Sequence, residues 1–124
     1  AQAVHGISRR LCRENGKHPA WVCQRLNRLF PPGSVIYADG GPVDQYWLDQ
    51  LFAVCTPLGY AQITVQHSDV IMLPLLDHIE ATHRQNYFES LKQNARAAVG
   101  ASHRAGVDVQ YLVTLYRLCQ CSNL

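Results

Sequence analysis

Hydrophobic residues in this chain recur mostly at intervals of three and four, the period of an amphipathic helix, and only the middle third shows the alternation of strands. Val4, Ile7 and Leu11 carry the helical period up to Asn15-Gly16, a pair that tolerates positive φ and stops a helix. Pro19 suits the first turn of a second helix. Trp21, Val22, Leu26, Leu29 and Phe30 line one side of it and Arg25 and Arg28 the other, and Pro31-Pro32-Gly33 ends it. Residues 4–30 therefore read as a helical hairpin.

Ser34 to Ala38 is β-branched and aromatic and lies between Pro-Pro-Gly and Asp39-Gly40-Gly41-Pro42, which predicts a strand. Pro42 or Val43 opens a helix whose Asp44 suits the positive end of the macrodipole. Tyr46, Trp47, Leu48, Leu51, Phe52, Val54 and Cys55 give that helix a broad apolar face, and Pro57 and Gly59 close it. Tyr60 to Gln66 alternates as a strand, His67-Ser68-Asp69 reads as a tight turn, and Val70 to Leu73 reads as the returning strand. From Leu75 towards Ala105, the positions Leu76, Ile79, Phe88, Leu91, Ala95 and Val99 support one long helix, or two with a break near Asn86 or Gly100. A last helix from Asp108 towards Cys121 would bury Tyr111, Leu112, Leu115, Leu118 and Cys119. The expected fold is α+β and mainly helical, with a small sheet of about three strands (near 34–38, 60–66 and 69–73) packed with four or five helices.

A chain of 124 residues is the size of one domain, so residues 1–124 are expected to form a single one. With 48% hydrophobic and 16% charged residues it is too apolar for disorder. It holds no 18-residue apolar run that could span a bilayer. Cys12, Cys23, Cys55, Cys119 and Cys121 are odd in number, and four of them lie in apolar stretches where a thiol behaves as a small hydrophobe. Reduced cysteines and a cytoplasmic location are the expectation. The alternative is an exported domain in which Cys12 or Cys23 bridges Cys119 or Cys121, a long loop whose closure contributes on the order of 4 kcal/mol. A start at Ala1-Gln2-Ala3 fits a processed end as well as a trimmed one.

Charge changes the picture because it is unevenly distributed. Residues 1–30 carry Arg9, Arg10, Arg13, Lys17, Arg25 and Arg28 against Glu14 alone, whereas residues 31–89 hold seven acids against Arg84. A basic N-terminal hairpin beside an acidic middle is compatible with a polar interaction face or with internal neutralisation.

Candidate chemistry is sparse. The Asp39-Gly40-Gly41-Pro42 loop joins a strand to a helix N-terminus, where α/β proteins bind anions, but it lacks the Lys-Ser/Thr pair of a phosphate loop and reads as a plain turn. Asp77, His78, Glu80 and His83 concentrate proton carriers, and Glu80 and His83 share a helix face as half of a carboxylate-bridged metal site. His78 lies about 140° round the helix from His83, so those two do not converge. Cys119-Gln120-Cys121 has no upstream pair at zinc spacing, and His67-Ser68-Asp69 cannot form a triad from consecutive residues. Ala101 to Leu112 has a Gly between two helices, as in a helix-turn-helix, but its second helix is too apolar to read DNA.

The function expected from these residues is a non-enzymatic protein-interaction or accessory module without a cofactor, its partner another protein or a second copy. Tyr46, Trp47, Tyr87, Phe88 and Tyr116 are the expected interaction surface, since aromatic residues are enriched there. The second reading is a nucleic-acid-binding regulator using Arg9, Arg10, Arg13, Arg25 and Arg28. The third is a small metal-dependent or acid–base enzyme centred on Asp77, His78, Glu80 and His83, with Glu80 and His83 as its metal ligands.

Overall fold

The computed structural model describes residues 2–57, 59–100 and 103–124, without the side chains of Gln2 and His5. In chain order its elements are α1 (Gln2–His5), α2 (Arg9–Asn15), α3 (Pro19–Leu29), β1 (Val35–Ala38), α4 (Pro42–Ala53), β2 (Thr64–His67), α5 (Asp69–Met72), a 3-10 turn (Leu73–Leu76), α6 (Ala81–Val99) and α7 (Ala105–Cys121). The fold is a mainly helical α+β one, as the hydrophobic pattern predicts. The chain divides into two compact units, one spanning Ile7–His67 and the other joining the N-terminal residues through Gly6 with Ser68–Leu124.

In the Ile7–His67 unit, β1 and β2 pair in parallel, in the register Val35↔Thr64, Ile36↔Val65, Tyr37↔Gln66 and Ala38↔His67. A parallel pair needs a crossover connection, and α4 supplies it. Cys23, Phe52, Ala61 and Ile63 are buried, with Leu26, Phe30, Ile36, Leu48, Leu51 and Cys55 packed against them. Along the sheet the expected alternation holds, because Val65 is buried between the exposed Thr64 and Gln66.

Three expectations fail between Val4 and Leu73, each for a local reason. The helix expected from Val4 to Asn15 is broken at Gly6, whose φ of 67° lies in the left-handed region. A new helix then starts under the cap of Ser8, whose hydroxyl accepts the Leu11 N–H at 3.0 Å. Residues 4–30 are not a packed hairpin either, because α2 buries none of its residues and Leu11 is exposed. The third strand, expected near 69–73, is α5 followed by the 3-10 turn, so the sheet has two strands and His67-Ser68-Asp69 is not a hairpin. A short apolar run cannot be assigned by period alone. Asp69 suits a helix start, and Pro74, which could not donate to a sheet ladder, sits at the start of the 3-10 turn.

The second unit is built on α6 and α7. Phe88, Leu91 and Ala95 from α6 and Tyr111, Leu115 and Cys119 from α7 are buried together with Met72 of α5 and Leu76 of the 3-10 turn. Gly100, with φ 90°, ends α6 at the break expected near it. Arg96 holds the two helices together, its guanidinium 3.7 Å from the centre of the Tyr111 ring and 3.5 Å from the Asp108 carboxylate. Of the apolar positions expected inside α7, Tyr111, Leu115 and Cys119 are buried, and Leu112 and Leu118 are half-buried. Ala101 and Ser102, part of the helix-turn-helix reading, lie outside the described residues. No described helix is long and apolar enough to cross a membrane.

Phe88 is 1% exposed while its neighbour Tyr87 is at the surface. Phe88→Ala should therefore cost about 3–5 kcal/mol, and Tyr87→Ala no more than about 1 kcal/mol, in urea unfolding. Equal costs would contradict the assignment of Phe88 to the core.

Candidate interaction surface

The surface of the Ile7–His67 unit is governed by a polar contact on the inner side of α4. Gln45 and Asp49 lie one turn apart. The Gln45 amide Nε2 donates to the Ile63 carbonyl and to Asp49 Oδ1, each at 3.2 Å, while its Oε1 accepts the Val65 N–H at 2.7 Å. Asp49 Oδ1 also accepts the Ala61 N–H at 3.0 Å. Taking one residue's N–H and donating to the carbonyl two residues earlier is the pairing that a neighbouring parallel strand offers. On the opposite edge Thr64 N–H donates to the Ser34 carbonyl, and Gly33 N–H donates to the Gln62 carbonyl. The helix side chain thus occupies the edge of β2 that β1 does not cover.

This contact fixes the rotation of α4. Leu48, Leu51, Phe52 and Cys55 turn towards the core, and the remaining apolar residues are left outside. Val43 is 60% exposed, Tyr46 55%, Trp47 64% and Val54, just past the last residue of the helix, 75%. Tyr46 and Trp47 meet edge to face, with ring centres 5.1 Å apart and planes at 72°. The expected apolar face of α4 is therefore divided between inside and outside.

Of the five residues expected to form an interaction surface, Tyr46 and Trp47 are exposed in one unit. In the other, Tyr87 is exposed, Tyr116 is half-buried against the core, and Phe88 is a core residue and not a surface one. Aromatic character alone does not distinguish a core position from an interface position. Val43 and Val54 belong to the exposed strip although they were not among the candidates; their spacing from Trp47, four residues before and seven after, is the signal that could have found them.

Arg9, Arg10 and Arg13 on α2 and Arg25 and Arg28 on α3 are all exposed. Arg10 pairs with Glu14 at 3.1 Å. Trp21, expected on the buried side of α3, is instead 51% exposed, and with Gln24, Arg25 and Arg28 it lines a cleft of about 200 Å³. The Lys17 ammonium stands 5.7 Å from the centre of its ring.

The remaining candidates are engaged locally. In the Asp39–Pro42 loop the Asp44 carboxylate accepts the Gly40 N–H at 3.1 Å, placing the chain's own anion at the helix N-terminus. Asp77 pairs with Arg84 at 3.2 Å, His78 Nε2 lies 3.1 Å from the Ser122 carbonyl, and Glu80 and His83 approach each other at 3.4 Å. All four side chains are exposed. Among the described residues no three His, Cys, Asp or Glu side chains gather as metal ligands.

All five cysteines are free. Cys12 is exposed, contrary to its apolar sequence setting, as is Cys121; Cys23 and Cys119 are buried. The Cys23 thiol lies 3.8 Å from the Leu51 carbonyl, and burial, reinforced by the neighbouring Cys55 thiol, pushes it up to about 11. Burial, with a smaller effect from the Asp69 carboxylate, also raises Cys119. No family model matches the chain, and no curated protein or solved structure matches it.

Thiol alkylation of the native protein should modify Cys12 and Cys121 first and Cys23 and Cys119 last, as peptide mass mapping will show. Because Cys23 ionises at a higher pH when folded than when unfolded, its contribution to stability is complete below its ordinary value of 9.0 and is lost as pH rises towards about 11. The urea midpoint should fall across that window, and by less in Cys23→Ala; an identical fall in both proteins would remove the thiol from the account.

Proposed function

We propose that this chain is a non-enzymatic protein-interaction module that docks its partner on the outer face of α4. The observation that supports this reading is the exposure of Val43, Tyr46, Trp47 and Val54 along one side of the chain from the start of α4 to its end. Exposed aromatic rings packed edge to face, with apolar residues on the same side of the helix, are characteristic of interaction sites. The electrostatics narrow the partner. No Lys or Arg occurs between Arg28 and Arg84, and the exposed Asp39 and Asp44 stand near the strip. An apolar partner surface edged with Lys or Arg complements this arrangement. The titratable side chains between Asp77 and His83 are exposed and do not converge as a group: Asp77 pairs with Arg84, His78 meets the Ser122 carbonyl, and Glu80 and His83 meet each other.

A photocrosslinking residue at position 47, compared with one at the exposed position 93 on α6, tests the proposal. The residue at 47 should capture a partner or a second copy, and Val43→Ser with Val54→Ser should abolish capture while shifting stability by no more than about 0.5 kcal/mol. Capture of the same product with equal yield at both positions would exclude α4 as the docking element.

A further inference from the structure

We propose that the cleft on the outer side of α3 binds single-stranded nucleic acid, an unpaired base lying on the Trp21 indole and neighbouring phosphates on Arg25 and Arg28. The inference does not rest on the α4 reading, because it uses a different helix and a different chemistry. The His18 ring accepts the Ala20 N–H at 3.2 Å and Pro19 opens α3, so the helix is fixed from its first turn. Cys23, Leu26 and Phe30 commit one side of it to the core. Trp21, Gln24, Arg25 and Arg28 follow at i, i+3, i+4 and i+7 on the other side, a single stripe about 10 Å long at 1.5 Å per residue.

Three properties of the stripe select the ligand. The indole is half exposed in spite of its large apolar area, so part of its surface is open to a stacked base. Among the described residues neither Arg25 nor Arg28 pairs with a carboxylate, and no acid occurs between Glu14 and Asp39, so both guanidinium groups can take up phosphates in their planar, two-pronged geometry. Lys17 over the same ring adds a third cation beside the cleft. A ligand that satisfies both parts offers a flat π surface and closely spaced negative charge, which a single strand does. A duplex hides its base faces, and an acidic peptide supplies charge without a regular stacking surface.

The chain has two tryptophans, so in Trp47→Phe the fluorescence of Trp21 is observed alone. Titration with a short oligothymidylate should quench it, and log affinity should fall with log salt at a slope of about −1.4 for two phosphates. With a labelled strand followed by anisotropy, Trp21→Ala should weaken binding by about ten- to a hundred-fold with little change in slope. Arg25→Gln with Arg28→Gln should make the slope shallower by about 1.4. Circular dichroism of each variant confirms that these surface changes leave the helices intact. The proposal is overturned if no binding occurs at low salt, if Trp21→Ala binds as tightly as the parent, or if the same strand in a duplex, or a phosphorylated peptide without aromatic residues, binds more tightly than the single strand.

Discussion

A side-chain amide does the work of a strand in this structure. Two parallel strands alone leave an open row of backbone groups on each side, and a buried donor or acceptor without a partner costs about 1–3 kcal/mol. Gln45 meets that demand on the β2 side by accepting from Val65 and donating to Ile63, and Asp49 extends the contact by accepting from Ala61. The two residues can act together only because they stand one turn apart on α4 and are themselves hydrogen-bonded. Once that face is turned inward, Leu48 and Phe52 follow it into the core and Tyr46 and Trp47 are carried outward. The exposed strip of α4 is thus a geometric consequence of how β2 is satisfied.

Elsewhere the charged residues serve similar structural ends. Arg84 donates to the carbonyls of Asp77 and Ile79 and pairs with the Asp77 carboxylate, tying the start of α6 to the turn before it. Arg96 stacks on Tyr111 and reaches Asp108, which joins α6 to α7. Asp44 caps its own loop. Asp77, His78 and Asp44, which attract attention in the sequence as acids, bases or ligands, are thus engaged with neighbouring backbone or side chains. The functional proposals rest instead on α4, with its exposed Tyr46 and Trp47, and on α3, with its cation-flanked tryptophan.

The hydrophobic period made α3, α4, α6 and α7 legible, and β-branching with flanking turn residues made β1 legible. It did not reveal the break at Gly6, because Val4, Ile7 and Leu11 keep their spacing across a residue whose backbone is left-handed. Nor did it separate strand from helix over Val70–Leu73, a run too short for either period to dominate. For the candidate surface, the exposure of Tyr46 and Trp47 was anticipated from residue type, and the burial of Phe88 shows the limit of that reasoning. The orientation of α4 was not legible, since Gln45 and Asp49 look like ordinary solvent-facing residues until β2 is beside them. Trp21 was misplaced for a related reason: α3 has more apolar residues than its buried side accommodates, and Cys23, Leu26 and Phe30 fill it.

Amide hydrogen exchange at Val65 tests most directly whether Gln45 serves as the missing strand. In the native protein the Val65 amide should be protected. In Gln45→Ala it should exchange faster, while the Thr64 amide, bonded to the Ser34 carbonyl on the other edge, keeps its protection. Unchanged exchange at Val65 in the variant would contradict the account, because the orientation of α4 would then have to come from core packing alone.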